Sequence, residues 1–236
     1  SAFYEHFQKF DWYYMPWKWE HEISLEYLKP EMKVLEVGCA HGAFIEAISK
    51  TYNVSEAIGL ELNETAAIEN KGYKIYNENI ESFSKKNKNY FDVVCSYQVL
   101  EHIADISEFL NGKINCLKKG GTLIISVPNN DSFVKDVGVG LNSPPHHMGI
   151  WNVKSLRALE NIFPIKLMKI HLEELQDYHV ESYVFSEHYS KHPYFLGKLI
   201  RKINKLTGDY SNQIEEARSN RTNILGHTIL AAYQKI

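Results

Sequence analysis

The feature that most constrains the fold is an alternation of short apolar runs with amphipathic stretches. Runs of strand length occupy Lys33–Val37, Glu56–Leu60, Lys74–Tyr76, Phe91–Ser96, Thr122–Val127, Ile165–Leu172 and Gly226–Tyr233. Helical patterns occupy Ala43–Thr51, Glu64–Lys71, Ile106–Leu117, Val153–Ile162 and Tyr194–Leu206. Runs without polar alternation, such as Phe91–Ser96, are typical of strands buried on both faces. The order predicts an α/β fold: a Rossmann-like, mostly parallel, seven-stranded sheet with helices on both faces.

The chain is expected to form a single domain spanning residues 1–236. Nine aromatic residues crowd the first twenty positions, so residues 1–30 are predicted to form a helical lid; a membrane-surface helix is the alternative. Residues 31–130 are the expected cofactor-binding core. Residues 173–225, rich in Tyr, His and Lys, are predicted to be a substrate-side insertion before the last strand. For its Tyr178–Phe195 stretch, a homodimer interface or packing of the insertion is the competing interpretation.

Composition excludes several classes of partner. The net charge of -3 gives no basic footprint for nucleic acid. A run of about eighteen apolar residues, which a membrane span requires, is absent from the sequence, as is a charged-then-apolar leader. Cys39, Cys95 and Cys116 are widely spaced and are predicted to be buried free thiols. We therefore expect a cytoplasmic protein.

The turn after the first strand, Glu36-Val37-Gly38-Cys39-Ala40-His41-Gly42, is the strongest local signal. Ligands of open α/β sheets bind at the carboxyl ends of the strands. A dinucleotide loop needs a second glycine where this chain has Ala40, and the carboxylate of Glu36 would repel phosphates. This disfavours an NAD-dependent oxidoreductase and favours a cofactor with a cationic end, such as S-adenosylmethionine. Glu61, at the end of the second strand, is placed to accept hydrogen bonds from the two ribose hydroxyls.

The stretches EVGCAHG, GLELN, FDVVCSYQVLEHI and LKKGGTLIISVPN resemble the class I S-adenosylmethionine-dependent methyltransferases, in particular the group that includes ubiquinone-biosynthesis O-methyltransferases and sugar methyltransferases. The resemblance covers roughly Met32–Asn129. It implies an enzyme that uses S-adenosyl-L-methionine and releases S-adenosyl-L-homocysteine. The implied cofactor-binding residues are Glu36, Gly38, Ala40 and Gly42 around the methionine moiety, Glu61 on the ribose, Leu62, Asn79 and Ile80 around the adenine, and Gln98, Val99 and His102 after the fourth strand. Asn79 departs from the Asp usual in the family.

Methyl transfer to a hydroxyl benefits from a general base, and a histidine with an ordinary pKa near ~6.5 is suited to that task. His146 and His147 follow two prolines in a loop expected on the acceptor side, so either is a candidate catalytic base. Capping of the local backbone is the alternative role. No Asp/Glu/His set at metal-ligand spacing accompanies them in the sequence, so no metal is expected.

Trp151, Tyr178 and Tyr183 are the candidate substrate-binding residues, because aromatic faces with polar tips suit a sugar or an aryl ring. A saccharide or nucleotide-linked sugar hydroxyl is the first expectation for the acceptor. The alternatives are a quinone or phenol hydroxyl and the nitrogen of a small amine or phosphoramidate. A non-catalytic scaffold that binds S-adenosylmethionine is the alternative from another class.

Overall fold

A computed structural model describes residues 17–63, 68–70, 73–136, 142–190, 197, 202–204 and 206–236. The strands are β1 Lys33–Val37, β2 Glu56–Leu60, β3 Ile68–Asn70, β4 Tyr73–Tyr76, β5 Phe91–Tyr97, β6 Leu117–Pro128, β7 Ile165–Glu174 and β8 Leu225–Lys235. The α-helices are α1 Trp19–Ser24, α2 Ala43–Thr51, α3 Ile80–Lys86, α4 Ile106–Cys116, α5 Val153–Ala158, α6 Val180–Ser190 and α7 Asp209–Ser219. Short 3₁₀ turns cover Leu25–Tyr27, Leu100–His102, Phe133–Asp136, Leu159–Asn161, Asp177–His179 and Arg221–Asn223.

The strands form one mixed sheet in the order β3-β4-β2-β1-β5-β6-β8-β7. β1 pairs in parallel with β2 and β5, and β2 pairs in parallel with β4. This confirms the predicted fold class and adds an eighth strand to the seven expected. The extra strand is β3, which pairs antiparallel with β4.

Two predicted boundaries are corrected by the sheet. The helix expected over Glu64–Lys71 is wrong at Ile68–Asn70, because these residues pair with β4; its other residues lie outside the described part of the chain. β6 begins at Leu117, ahead of the predicted start at Thr122, because Gly120 adopts φ +78° and lets the strand continue through a sharp bend. Of the helix predicted over Tyr194–Leu206, only residues 197, 202–204 and 206 are described, and they are helical.

Local packing explains why α2 forms next to β1. Phe44, Ile45 and Ile48 are buried on its inner face, as the helical period of the sequence predicts. Of the expected N-terminal lid, residues 1–16 lie outside the described part. The described remainder packs against α2, with the His21 ring centroid 5.3 Å from that of Phe44 and 4.8 Å from that of Tyr97.

The chain divides into two compact units, and the expected single domain stays a prediction. The first comprises Ser1–Tyr97, Glu108–Ile124 and Gln234–Ile236, and the second comprises Gln98–Ser107 and Ile125–Tyr233. The predicted insertion belongs to the second unit, where α6 and α7 enclose an apolar cluster of Phe133, Leu175, Val180, Val184, Tyr210 and Ala217.

The three cysteines are buried free thiols, as predicted. Among the described residues, no helix has the length and apolar character needed to cross a membrane.

Candidate functional site

The turn after β1 is a strained loop pinned to β2. Gly38, Ala40 and Gly42 all have positive φ, at +77°, +48° and +72°. The N–H groups of Gly38 and Cys39 donate to the carbonyl of Leu60 at 2.8 and 3.1 Å. A left-handed alanine costs about 1 kcal/mol or more, so the surrounding contacts must hold Ala40 in place. One of them is a 2.9 Å hydrogen bond from its N–H to Oε2 of Glu61.

Glycine is required at two positions around this loop. A Cβ at Gly42 would lie 2.7 Å from Cδ1 of Ile75, and its φ also favours glycine. A Cβ at Gly59, on β2, would lie 2.4 Å from Sγ of Cys39. The loop therefore packs directly on the sheet, with the Cys39 side chain lying over Gly59.

Glu61 is held by backbone donors on both of its oxygens. Oε2 accepts from Ala40, and Oε1 accepts from the N–H groups of Leu62 and Asn63 at 2.9 and 3.1 Å. These bonds orient the carboxylate at the end of β2. They leave lone pairs for further donors, because a carboxylate accepts about four hydrogen bonds.

Glu36 is a buried acid with an unused oxygen. Its side chain is 5% exposed, and Oε2 has no hydrogen-bond partner among the described residues. Burial raises the pKa of Glu36 well above its ordinary value, and the charge of Glu61 adds to the rise, while the backbone N–H of Ile45 opposes it. A buried acid without a partner is costly unless a cation satisfies it. Glu36 is therefore poised for a positively charged ligand group.

The residues expected around the adenine occupy three different environments. Leu62 is 71% exposed, so an apolar face is available to a ring. Asn79 caps α3, accepting from the Ser82 N–H at 2.8 Å through Oδ1. The Ile80 side chain is 2% exposed and packs beneath Gly112, so it lies in the core.

The first unit therefore fits S-adenosylmethionine better than a dinucleotide. The unsatisfied Glu36 oxygen matches an α-ammonium group, and the loop glycines leave room for the backbone to approach a ligand. Two neighbouring carboxylates, Glu36 and Glu61, would instead repel a pyrophosphate.

In the second unit, His102 joins the two histidines of the proline loop. The ring centroids of His102 lie 4.8 Å from His146 and 4.9 Å from His147, and the latter two stack at 4.8 Å. The three offer ligand atoms within 4.8 Å of one another, which corrects the expectation that no such set exists. Two nitrogens on one zinc ion, each at about 2.1 Å, lie at most about 4.2 Å apart. We therefore assign no metal to this group.

Hydrogen bonds fix two of these rings. Nδ1 of His102 lies 2.8 Å from the carbonyl oxygen of His146. Nδ1 of His147 lies 3.0 Å from Oδ1 of Asn142. Burial lowers the pKa of His147 to about 3, with His102, His146 and His227 adding repulsion. Burial and His102 also lower the pKa of His146, so both rings are neutral near pH 7.

The remaining predicted residues of this unit have local partners. Gln98, at φ +55°, places Nε2 3.5 Å from Oγ1 of Thr228. Trp151 is 6% exposed, so its side chain packs in the interior and offers little surface to a substrate. Tyr178 donates from its hydroxyl to Oε1 of Glu173 at 3.3 Å. Tyr183 packs edge-on against Phe133, with ring centroids 5.8 Å apart.

Sequence reasoning missed Asn130, Asn142, His179 and His227. The rings of His179 and His227 stack at 4.6 Å, although 48 residues separate them in the sequence. Asn142 precedes the prolines of its loop, where an amide side chain is common and no pattern marks it. Only the count of histidines in this part of the chain hinted at such a cluster.

Comparisons with known proteins place this geometry in context. A family described as methyltransferase domain matches residues 12–168. A ubiquinone biosynthesis O-methyltransferase, mitochondrial, of Dictyostelium discoideum is 30% identical over 117 residues, which are 42% of this chain and 36% of that relative. The chain thus spans only about a third of that relative's length.

Two solved structures share the fold. A SAM-dependent methyltransferase from Archaeoglobus fulgidus has a TM-score of 0.58 at 19% identity, covering 91% of this chain and 90% of its own. The [4+2]-cyclase SpnF has a TM-score of 0.61 at 11% identity, covering 91% of this chain and 80% of its own. At these identities the likeness shows the fold alone.

Proposed function

The chain belongs to the methyltransferase domain family, and from that premise we propose that it transfers a methyl group from S-adenosylmethionine to a hydroxyl of a small molecule. The observation that carries the proposal is Glu36, a buried carboxylate with one oxygen unpartnered among the described residues. It stands beside a glycine loop that leaves space for a ligand. The proposed donor-binding residues in the first unit are Glu36, Gly38, Ala40, Gly42, Glu61 and Leu62.

In this proposal the bound cofactor supplies an electrophilic methyl group on a sulfonium. The protein supplies alignment and accepts a proton. When bound, S-adenosylmethionine would supply a methyl carbon to the acceptor oxygen, and the electron pair of the broken carbon–sulfur bond would remain on sulfur. The hydroxyl proton passes to a neutral imidazole, for which His146 and His147 are the candidates.

A hydroxyl on a quinone or phenol ring is our first choice of acceptor. The saccharide expected from the sequence finds no support among the relatives, whose names include ubiquinone biosynthesis O-methyltransferase. Tyr178 and Tyr183 are the aromatic candidates of the second unit for contact with such a ring.

An assay with S-adenosylmethionine and separate panels of phenols, nucleotide sugars and small amines tests the proposal. We expect S-adenosylhomocysteine and a methylated phenol, identified by mass spectrometry. Methylation of sugars or amines alone would overturn the acceptor class. Cofactor binding without turnover of any panel would favour a non-catalytic scaffold.

Separate His146→Gln and His147→Gln variants test the base. Loss of the base should lower kcat by about 100-fold or more, with little change in the affinity for S-adenosylhomocysteine. Only one of the two histidines is expected to accept the proton. The variant of the other histidine, made by the same change in the same loop, therefore serves as the matched control. Full turnover in both variants would contradict a histidine base in this loop.

A further inference from the structure

We infer that Asn142, itself oriented by Asn130, is a positioning residue that fixes the His147 ring with its proton on Nδ1 and its lone pair on Nε2. The inference rests on the proposed function in one respect: His147 is taken as the imidazole that accepts the proton. The inference selects His147 over His146 as the base and identifies Nε2 as the nitrogen that accepts the proton.

The orientation of the Asn142 amide follows from its partners. Nδ2 of Asn142 lies 3.3 Å from the backbone carbonyl oxygen of Val134, which can only accept a hydrogen bond. The same Nδ2 lies 2.7 Å from Oδ1 of Asn130. The atom facing Val134 must therefore be the NH₂ group, and Oδ1 of Asn142 is the atom directed at His147.

Asn130 is oriented in the same way. Its Nδ2 lies 3.2 Å from the carbonyl oxygen of Trp151 and 3.4 Å from that of Pro128. Its backbone N–H also donates to the Trp151 carbonyl, at 2.9 Å. Two obligate acceptors hold the NH₂ group, so Oδ1 of Asn130 faces Asn142 as an acceptor. The donor and acceptor assignments of the Asn130 and Asn142 amides are therefore consistent with each other.

The tautomer of His147 is then determined. Nδ1 of His147 lies 3.0 Å from Oδ1 of Asn142, an acceptor, so this nitrogen carries the hydrogen. In a neutral imidazole the other nitrogen is then an acceptor. Without such a partner the proton distributes over both nitrogens, and the tautomer with a protonated Nε2 cannot accept a proton there.

His102 offers a useful contrast within the same cluster. Its Nδ1 is also protonated, because it faces the backbone carbonyl of His146 at 2.8 Å. Its Nε2, however, lies 3.9 Å from Oε1 of Glu101, so a carboxylate stands close to that nitrogen. That nitrogen therefore faces a carboxylate, so His102 is not our candidate for the base.

Long-range ¹H–¹⁵N NMR of protein labelled with ¹⁵N-histidine tests the tautomer directly. The sample is treated with EDTA to exclude bound metal, and His147→Gln assigns the signals. We expect Nδ1 of wild-type His147 to be protonated and Nε2 to be unprotonated. A wild-type signal with the proton on Nε2 would overturn the inference, whatever the protein methylates.

Asn142→Leu tests the positioning role. It should shift His147 towards the tautomer with a protonated Nε2, while the matched control Asn212→Leu, at an exposed position of α7, leaves that tautomer unchanged. With an acceptor in hand, kcat of Asn142→Leu should fall about 10-fold or more. KM and the affinity for S-adenosylhomocysteine should stay near wild type, which also shows that the variant is folded.

An unchanged tautomer in Asn142→Leu would contradict the positioning role. A shifted tautomer with unchanged kcat would show that Asn142 orients a ring that does not act as the base.

Discussion

In our proposal Glu36 is the residue on which ligand choice depends, because its carboxyl group is buried and one of its oxygens is unpartnered among the described residues. Replacing it with Gln keeps the shape and removes the charge. A charge-assisted hydrogen bond is worth about 2–3 kcal/mol, so Glu36→Gln should weaken S-adenosylhomocysteine binding on the order of 30-fold or more. Calorimetric titration measures this. The exposed Glu46→Gln on α2 is a matched control that should bind normally.

The stability of the ligand-free protein should also depend on Glu36. Because the folded pKa is raised above its ordinary value of 4.5, the folded state holds this proton more tightly than the unfolded state. The contribution of this proton to the free energy of unfolding is complete below the ordinary pKa of Glu36. It is lost as the pH rises through the raised pKa of the folded state. Urea unfolding at several pH values should show this decline in wild type and a flatter profile in Glu36→Gln. An equal slope in both proteins would contradict the burial argument.

Lys113 is a second buried charge, and it lies in the core of the first unit. It donates to Oγ of Ser96 at 2.6 Å, and burial lowers its pKa to about 7 from 10.5. The unfolded state therefore binds more protons between about pH 7 and 10.5, so the free energy of unfolding should rise across that window. Lys113→Met should abolish this rise and stabilise the protein by about 1–3 kcal/mol at pH 7. Destabilisation at pH 7 would show that the bond to Ser96 outweighs the burial cost.

At this scale the sequence predicted where the acids and glycines of the first unit lie, because each is at a strand end or in the turn that follows; their binding roles stay predictions. It could not separate His146 from His147, since the partners that differ between them, Asn142 and Asn130, are brought together by loop geometry. It also could not show that Ile80 is buried beneath Gly112.

The pairing of β1 with β2 determines how closely the loop lies on the sheet. A Cβ at Gly59 would approach Sγ of Cys39 at 2.4 Å and Cδ1 of Ile45 at 2.9 Å. Gly59→Ala should therefore destabilise the protein by about 1–3 kcal/mol and weaken cofactor binding. Adding Cys39→Ala removes the sulfur and should recover part of both losses. Additive effects in a double-mutant cycle, measured by urea unfolding, would contradict the proposed contact.

Helices and strands with a clear hydrophobic period could be predicted from the sequence. Those that form through contact with a neighbouring element could not. β1, α2 and β2 match their predicted bounds because each has a clear apolar pattern. β3 is three residues long and forms through pairing with β4, a tertiary contact that leaves no periodic signal. The same holds for α6 and α7, which are stabilised by the cluster around Phe133 and Val184.

For the whole molecule, the fold class could be predicted from the order of strands and helices in the sequence. The division into two compact units could not. Strand order and methyltransferase family membership constrain the cofactor far more than the acceptor, because donor residues recur at fixed strand ends. In our proposal acceptor specificity depends on the second unit, where Tyr178, Tyr183 and the histidines lie in segments without a recognisable motif.

Isothermal titration of the ligand-free protein with S-adenosylhomocysteine, and separately with NAD, tests the central claim most directly. We predict saturable binding of S-adenosylhomocysteine that is lost in Glu61→Ala, and no binding of NAD. Binding of NAD alone, or unchanged S-adenosylhomocysteine affinity in Glu61→Ala, would contradict the assignment of this loop to a methyl donor.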